Sequence, residues 1–173
     1  MRVCVVSGQS GIGKDTVIRN LTSYHNYLKF PSLTTRPQRK GEINGIDYYF
    51  VNDREFKQER SNGNLLDSVC ITGYWYGFPI KRFQKAGRGL WALNLVPESA
   101  LTISRIFPET TLIYLLFPSK GEQRKRMKGR GMSDYEIGIR LRDDPNPKRK
   151  PVYYNNCYIN DNSKKTALQI AKG

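Results

Sequence analysis

Apolar residues along this chain fall in short runs separated by polar, turn-rich stretches. Residues 3–6 are unbroken apolar, the pattern of a strand buried on both faces. Residues 14–23 place Val17, Ile18 and Leu21 at helical spacing, so they form one inner helix face. A second strand is predicted over 28–33, a short aromatic strand over 47–51, and a short helix over 53–60 capped by Asn52 or Asp53. Residues 64–72 read as a strand and 73–76 as a hairpin or turn, and Pro79 suits the first position of a helix over 79–85. Strands follow over 89–95 and 111–117, with a helix over 97–106 between them. Pro118 and Ser119 open a basic helix to Gly129, and another helix spans 133–142. Residues 143–151 are proline-rich and charged, hence a loop; a short strand over 157–159 and a helix over 163–172 close the pattern.

Strands alternating with helices predict an α/β fold around a parallel sheet. The segment 48–76 breaks the alternation, and its two or three short strands predict an inserted subdomain. Residues 34–45 before it are polar, basic and turn-rich, and cannot be core. The 173 residues fit one domain, without repeat or linker. No apolar run is long enough to span a membrane. The first residues lead straight into a strand, without the apolar block of a secretion signal, so a cytoplasmic location is expected. Cys4, Cys70 and Cys157 are odd in number and share no metal-like spacing, which predicts buried thiols in a reducing compartment. His25, the only histidine, sits at a predicted helix end and argues against histidine acid–base chemistry. The net charge of +14 suits a polyanionic partner. Nucleotide phosphates come first. Nucleic acid comes second, because no stacking repeat or recognition helix is visible and Lys148-Arg149-Lys150 reads as a solvated loop.

The chemistry concentrates in Gly8-Gln9-Ser10-Gly11-Ile12-Gly13-Lys14-Asp15-Thr16, between the first strand and the first helix. Gly8, Gly13 and Lys14 have the spacing of a phosphate-binding loop. Glycines let the backbone curl so that its N–H groups face an anion, and the helix N-terminus and Lys14 add positive charge. The pattern ordinarily continues with Ser or Thr, whose hydroxyl meets magnesium. Here Asp15 holds that position and Thr16 follows it.

This loop, the block SLTTRPQRKGEINGIDYYFV at 32–51, YWYG at 74–77, RMKGRG at 126–131 and INDN at 159–162 together resemble the guanylate kinase family, in order and spacing over nearly the whole chain. The resemblance implies a P-loop NTPase-type parallel sheet flanked by helices, with a core over 1–32 and 77–173. It also implies a small β-rich acceptor-binding insert over 33–76 and a helical lid within 124–150. The implied activity moves the γ-phosphoryl of ATP to a nucleoside monophosphate, most simply GMP or dGMP, with Mg²⁺ bridging the phosphates. By the same resemblance, Gly8, Ser10, Gly11, Ile12, Gly13, Lys14, Asp15 and Thr16 hold the ATP phosphates and Asn160 lies near adenine. Lys14 and the lid arginines Arg130 and Arg140 are the catalytic set. Arg36, Arg39, Tyr48 and Tyr76 meet the acceptor phosphate with Glu42 in support, and Ser32 and Asp67 meet the guanine edge. A monomer or homodimer is expected, with ATP and the monophosphate as partners.

Three departures from the family pattern fall on the chemistry. Asp15 replaces the metal-binding hydroxyl; Phe78 stands where a Ser or Thr helps hold guanine; Asn94 and Val96 stand where the family carries acids along a strand end. Asp15 is therefore expected to supply the carboxylate that Asn94 and Val96 lack, and to hold magnesium. The same departures leave other readings open. One is a kinase for another or modified deoxynucleoside monophosphate, or for ribose 1,5-bisphosphate, whose branch has a similar Gly-Lys-Asp loop ending. The other is a non-catalytic binding module, although such modules typically lack an intact phosphate loop.

Overall fold

β1 (Arg2–Gly8) lies in the middle of a five-stranded sheet of order β2-β7-β1-β8-β9, in which every pairing is parallel. The computed structural model describes residues 1–66, 68–143 and 154–173. The other strands of this sheet are β2 (Leu28–Lys29), β7 (Leu90–Asn94), β8 (Thr110–Leu116) and β9 (Asn156–Ile159). The unbroken apolar run of β1 has a direct cause. Val3 and Val5 enter a core with Leu93, Leu112, Ala100 and Ile103 on one face. Cys4 and Val6 enter a second core with Val17, Ile18, Leu21, Ala167 and Ile170 on the other. Side chains alternate along a strand, so a strand covered on both faces needs apolar residues at every position.

The second core is roofed by α1 (Lys14–Tyr24) and α7 (Ser163–Lys172), the first by α3 (Ile80–Gln84) and α4 (Pro97–Ile106). The side chain of Asn162 caps α7 by accepting from Lys164 and Lys165 N–H. α5 (Lys120–Gly129), capped by Ser119, and α6 (Asp134–Asp143) follow β8. The helix expected to begin at Pro79 begins one residue later, with Pro79 as its N-cap. His25 is the C-cap of α1, at the helix end expected for it.

A second sheet of four strands, order β4-β3-β6-β5, holds β3 (Leu33–Thr34), β4 (Tyr49–Phe50), β5 (Ser68–Ile71) and β6 (Tyr74–Gly77). The single strand expected over 28–33 is thus two strands in two sheets. Phe30 and Pro31 separate them. Phe30 packs on Phe83 at 5.0 Å, and a proline has no N–H to continue a ladder. The strand expected from residue 64 begins only at Ser68. α2 (Asp53–Ser61) carries a full capping box between Asn52 and Glu55, which decides the cap in favour of Asn52. The hairpin or turn expected over 73–76 is a hairpin whose return strand is β6, turned by Thr72 and Gly73 at φ 51° and 81°. Two left-handed residues match the twist of a two-residue hairpin, but a β-branched threonine rarely adopts that conformation.

The cysteines depart from expectation: Cys4 is buried, and burial pushes its thiol up to about 12, whereas Cys70 is exposed and Cys157 half-buried. Phe78, which stands where the family carries Ser or Thr, turns inward. It is fully buried in an aromatic cluster, edge-on to Phe83 at 5.2 Å and Phe30 at 5.9 Å. It is a core residue and offers nothing to a ligand. Phe78→Ala is expected to destabilise the fold by about 3–5 kcal/mol in urea unfolding, the range for emptying a buried aromatic site.

Candidate active site

The loop after β1 is built from outside inward. Gly8 sits at φ 143°, and a Cβ there would lie 2.5 Å from Leu115 O, so no other residue fits against β8. Gly11 and Gly13 have φ 82° and 95°, and Gly13 is the N-cap of α1. The loop carbonyls are tied to residues around it. Gln123 Nε2 donates to Ser10 O at 3.3 Å, Arg126 Nη1 to Ile12 O at 3.3 Å, and Asn160 Nδ2 to Ile12 O at 2.7 Å. The buried Gln9 side chain accepts from Phe117 N–H at 3.1 Å. Lys14 Nζ is held over the loop by Gly8 O at 2.8 Å and Gln9 O at 3.1 Å. Asn160, which the resemblance set beside adenine, is 0% exposed; its second side-chain atom accepts from Thr166 at 3.1 Å. In this structure it braces the loop.

The second group comes from the small sheet. Arg36, only 7% exposed, donates through Nη2 to both carboxylate oxygens of Glu42 at 2.8 and 3.0 Å, and through Nη1 to Pro37 O at 2.7 Å. Its guanidinium lies 5.6 Å from the ring centres of both Tyr48 and Phe50, and Tyr48 meets Tyr76 edge-on at 6.2 Å. Burial alone would raise the Glu42 carboxyl. Hydrogen bonds from Arg36 and the Arg39 N–H, with the charges of both arginines, outweigh it and hold the group below its ordinary value. Burial, then the negative charge of Asp15, pushes the Tyr48 hydroxyl well up. Lys29 Nζ pairs with Asp47 at 3.2 Å and ties this group to the end of β2. Arg39 is exposed and Ser32 half-buried, whereas Asp67 lies outside the described residues.

Two arginines join these groups. Arg140 on α6 donates from Nη1 to Ser10 Oγ at 2.9 Å and from Nη2 to Thr72 Oγ1 at 3.2 Å. One guanidinium therefore touches the glycine loop and the hairpin tip of the small sheet. Arg130, the C-cap of α5, feels the same surroundings. Desolvation lowers its pKa most, and Arg39, Arg140 and Arg126 lower it further, against an opposing pull from Asp15. Residues 144–150 of the expected lid lie outside the described residues. Between the groups, Asn94 at the end of β7 donates to Asp15 Oδ1 at 2.9 Å. Val96 is the N-cap of α4.

Arg140 thus links the glycine loop to the hairpin of the small sheet, the sheet beside which the buried arginine–tyrosine cluster sits. The model of the guanylate kinase family matches residues 1–143. The chain belongs to the guanylate kinase family. It is 36% identical over 138 residues to a guanylate kinase of a Nostoc species, covering 78% of this chain and 69% of that protein. A guanylate kinase of Thermosynechococcus vestitus is 31% identical over 173 residues, with 98% and 91% covered. The crystal structure of guanylate kinase from Anaplasma phagocytophilum superposes with a TM-score of 0.68 at 27% identity, covering 98% of this chain and 82% of that one. The family places this protein among the ATP-consuming nucleoside monophosphate kinases.

Sequence reasoning missed Thr72 and the bracing roles of Gln9, Gln123 and Arg126. A threonine before glycine in a tight hairpin, where asparagine or aspartate is the usual choice, was the available signal for Thr72. Thr72→Val keeps the branched side chain and removes only the hydroxyl that accepts from Arg140. It is expected to lower kcat about 3–10-fold with the fold intact, read by steady-state kinetics beside a thermal melt.

Glu42 gives a pH signature. Its carboxyl is depressed in the folded protein, so its contribution to stability is present above its unfolded pKa and lost as pH falls through the folded one. Urea unfolding from about pH 6 to about pH 3.5 should show wild type losing its advantage over Glu42→Gln at the acid end. A constant gap between the two would contradict the ion pair.

Proposed function

We infer that this chain transfers the γ-phosphoryl group of ATP to GMP or dGMP, forming the diphosphate and ADP. The observation that carries this reading is Arg140, bonded at once to Ser10 of the glycine loop and Thr72 of the small sheet. A side chain placed so lies between a donor held by the loop and an acceptor held by the sheet. The relatives named guanylate kinase favour guanine as the acceptor base.

The roles follow from charge and geometry. The loop amides of 8–16 and Lys14 would hold the β- and γ-phosphates of ATP. Arg36, Arg39, Tyr48 and Tyr76 would bind the acceptor phosphate. Glu42 fixes the Arg36 guanidinium before substrate arrives, so little reorganisation is left for the reaction. Arg130 and Arg140 would neutralise the charge spread over the transferring group. We read the four-stranded sheet as the acceptor insert, and α5 with α6 as the described part of the lid. Closing these surfaces together excludes water, whose attack would hydrolyse ATP.

Magnesium fits the residues present. Among the described residues no three acids, cysteines or histidines gather into a cage. Mg²⁺ needs none, since it commonly takes one or two carboxylates plus substrate phosphates. Asp15 is a carboxylate in the first turn of α1, directly after Lys14. When bound, the ion would neutralise phosphate charge; the protein groups above position and shield.

A coupled ATP-consumption assay across GMP, dGMP, AMP, dAMP, dTMP, dCMP and ribose 1,5-bisphosphate tests the reading. Turnover is expected with GMP and dGMP, at kcat/KM about 100-fold or more above the other acceptors, since a base-edge contact left unpaired is strongly rejected. Preference for a different acceptor would overturn the guanine assignment. ATP binding without turnover of any acceptor would overturn the enzyme reading.

A further inference from the structure

Asp15 and Asn94 are far apart in sequence and belong to different elements, the first turn of α1 and the last residue of β7. The sheet brings them together. Asn94 is in register with Val6 on β1, so its side chain emerges at the carboxyl edge beside the glycine loop. There its Nδ2 donates to Asp15 Oδ1 at 2.9 Å. An ordinary phosphate loop has a neutral hydroxyl at the Asp15 position. A full negative charge next to a polyphosphate is repulsive unless a cation lies between them. Asp15 also faces into the cleft, close enough that its charge acts on both the Tyr48 hydroxyl and the Arg130 guanidinium. No lysine or arginine is recorded in a salt bridge with it among the described residues. Its recorded side-chain partner is a neutral amide, which orients one oxygen without neutralising the charge.

We propose that Asp15 and Asn94 work as one unit: Asp15 is the carboxylate through which this chain engages the magnesium of its triphosphate, and Asn94 is the positioning residue that aims it. The proposal deepens the reading of the ATP side of the cleft and rests on it; it does not depend on which acceptor is used. The pair is a hydrogen bond between an acid and an amide, and such a bond can be built with either partner as the acid. Asp15→Asn with Asn94→Asp therefore returns a carboxylate to the same contact from the opposite wall. Asn94→Asp alone would face two carboxylates at hydrogen-bond distance, which repel.

The test is ATP binding by calorimetry, in excess magnesium and in EDTA, on purified full-length protein whose folding is checked by thermal melting. In wild type, magnesium is expected to tighten ATP binding. Asp15→Asn should reduce that tightening about tenfold, while binding ATP more tightly than wild type in EDTA because the repulsive charge is gone. A change of sign between the two conditions is something a purely structural role would not produce. Asn94→Ala should raise the magnesium concentration needed for half-maximal tightening about 3–10-fold and leave affinity in EDTA unchanged. Asn94→Asp should lose binding in EDTA, and the double exchange should recover magnesium tightening to within about threefold of wild type.

Full magnesium tightening in Asp15→Asn would overturn the carboxylate assignment. An unchanged magnesium requirement in Asn94→Ala, or a double exchange no better than Asp15→Asn alone, would overturn the pair as a unit. Because the readout is triphosphate binding, failure of guanine specificity would leave magnesium-tightened ATP binding intact. The two failures are therefore distinguishable.

Discussion

A glycine loop keeps its amides facing inward only if its carbonyls are held elsewhere, and that constraint runs through this structure. A loop free to turn its carbonyls inward would repel phosphate instead of binding it. The carbonyls of Ser10 and Ile12 are engaged by Gln123 and Arg126 of α5 and by Asn160 just after β9. Gly8 presses so close to Leu115 that β8 forms the loop's floor. Parallel pairing of β1 with β7 and β8 brings all these chain ends to one edge of the sheet, where ligands of such folds bind.

Charge is placed by the same logic. The chain carries 29 basic and 15 acidic residues, and several of its acids sit where they organise cations. Glu42 holds Arg36 in place, and Asp47 joins Lys29 to the small sheet. Burial works against each of these carboxyls, yet both are held below their ordinary values by the partners around them. Asp15 differs, because its recorded hydrogen-bond partner is an amide and its field reaches into the cleft. This strongly basic chain thus carries a carboxylate directly after its glycine loop, where the phosphate-loop pattern ordinarily has a neutral hydroxyl.

Arg140 of α6 reaches the hairpin of the small sheet. Thr72 occupies a backbone conformation that threonine disfavours, at the tip of a hairpin, and its hydroxyl receives Arg140. Arg140 extends from there to Ser10. The small sheet, α6 and the glycine loop are thus joined through a single guanidinium.

Much of this was legible in the chain. Local rules suffice where one physical cause dominates. The apolar run of β1, the helical spacing of Val17, Ile18 and Leu21, the helix opening near Asn52 and Asp53 and the glycine loop need only neighbours in sequence. Arg36, Glu42 and Tyr48 were legible through the resemblance of the block at 32–51, which holds all three on one short segment. What failed locally failed for tertiary reasons. Nothing near Phe30 and Pro31 in sequence says that the strand there divides between two sheets. Phe78, suspected of reshaping the base pocket, is buried with Phe30 and Phe83, a fact set by packing across the chain. Asn160 braces the loop because β9 runs beside β8. The contact of Asp15 with Asn94, and that of Arg140 with Thr72, join residues dozens of positions apart. Hydrophobic period and turn chemistry are properties of neighbouring residues, so the sequence by itself determined most of the elements, the glycine loop and the residue types around it. Which of those residues touch depends on how the strands are ordered and the helices stacked, and that only the tertiary structure decided.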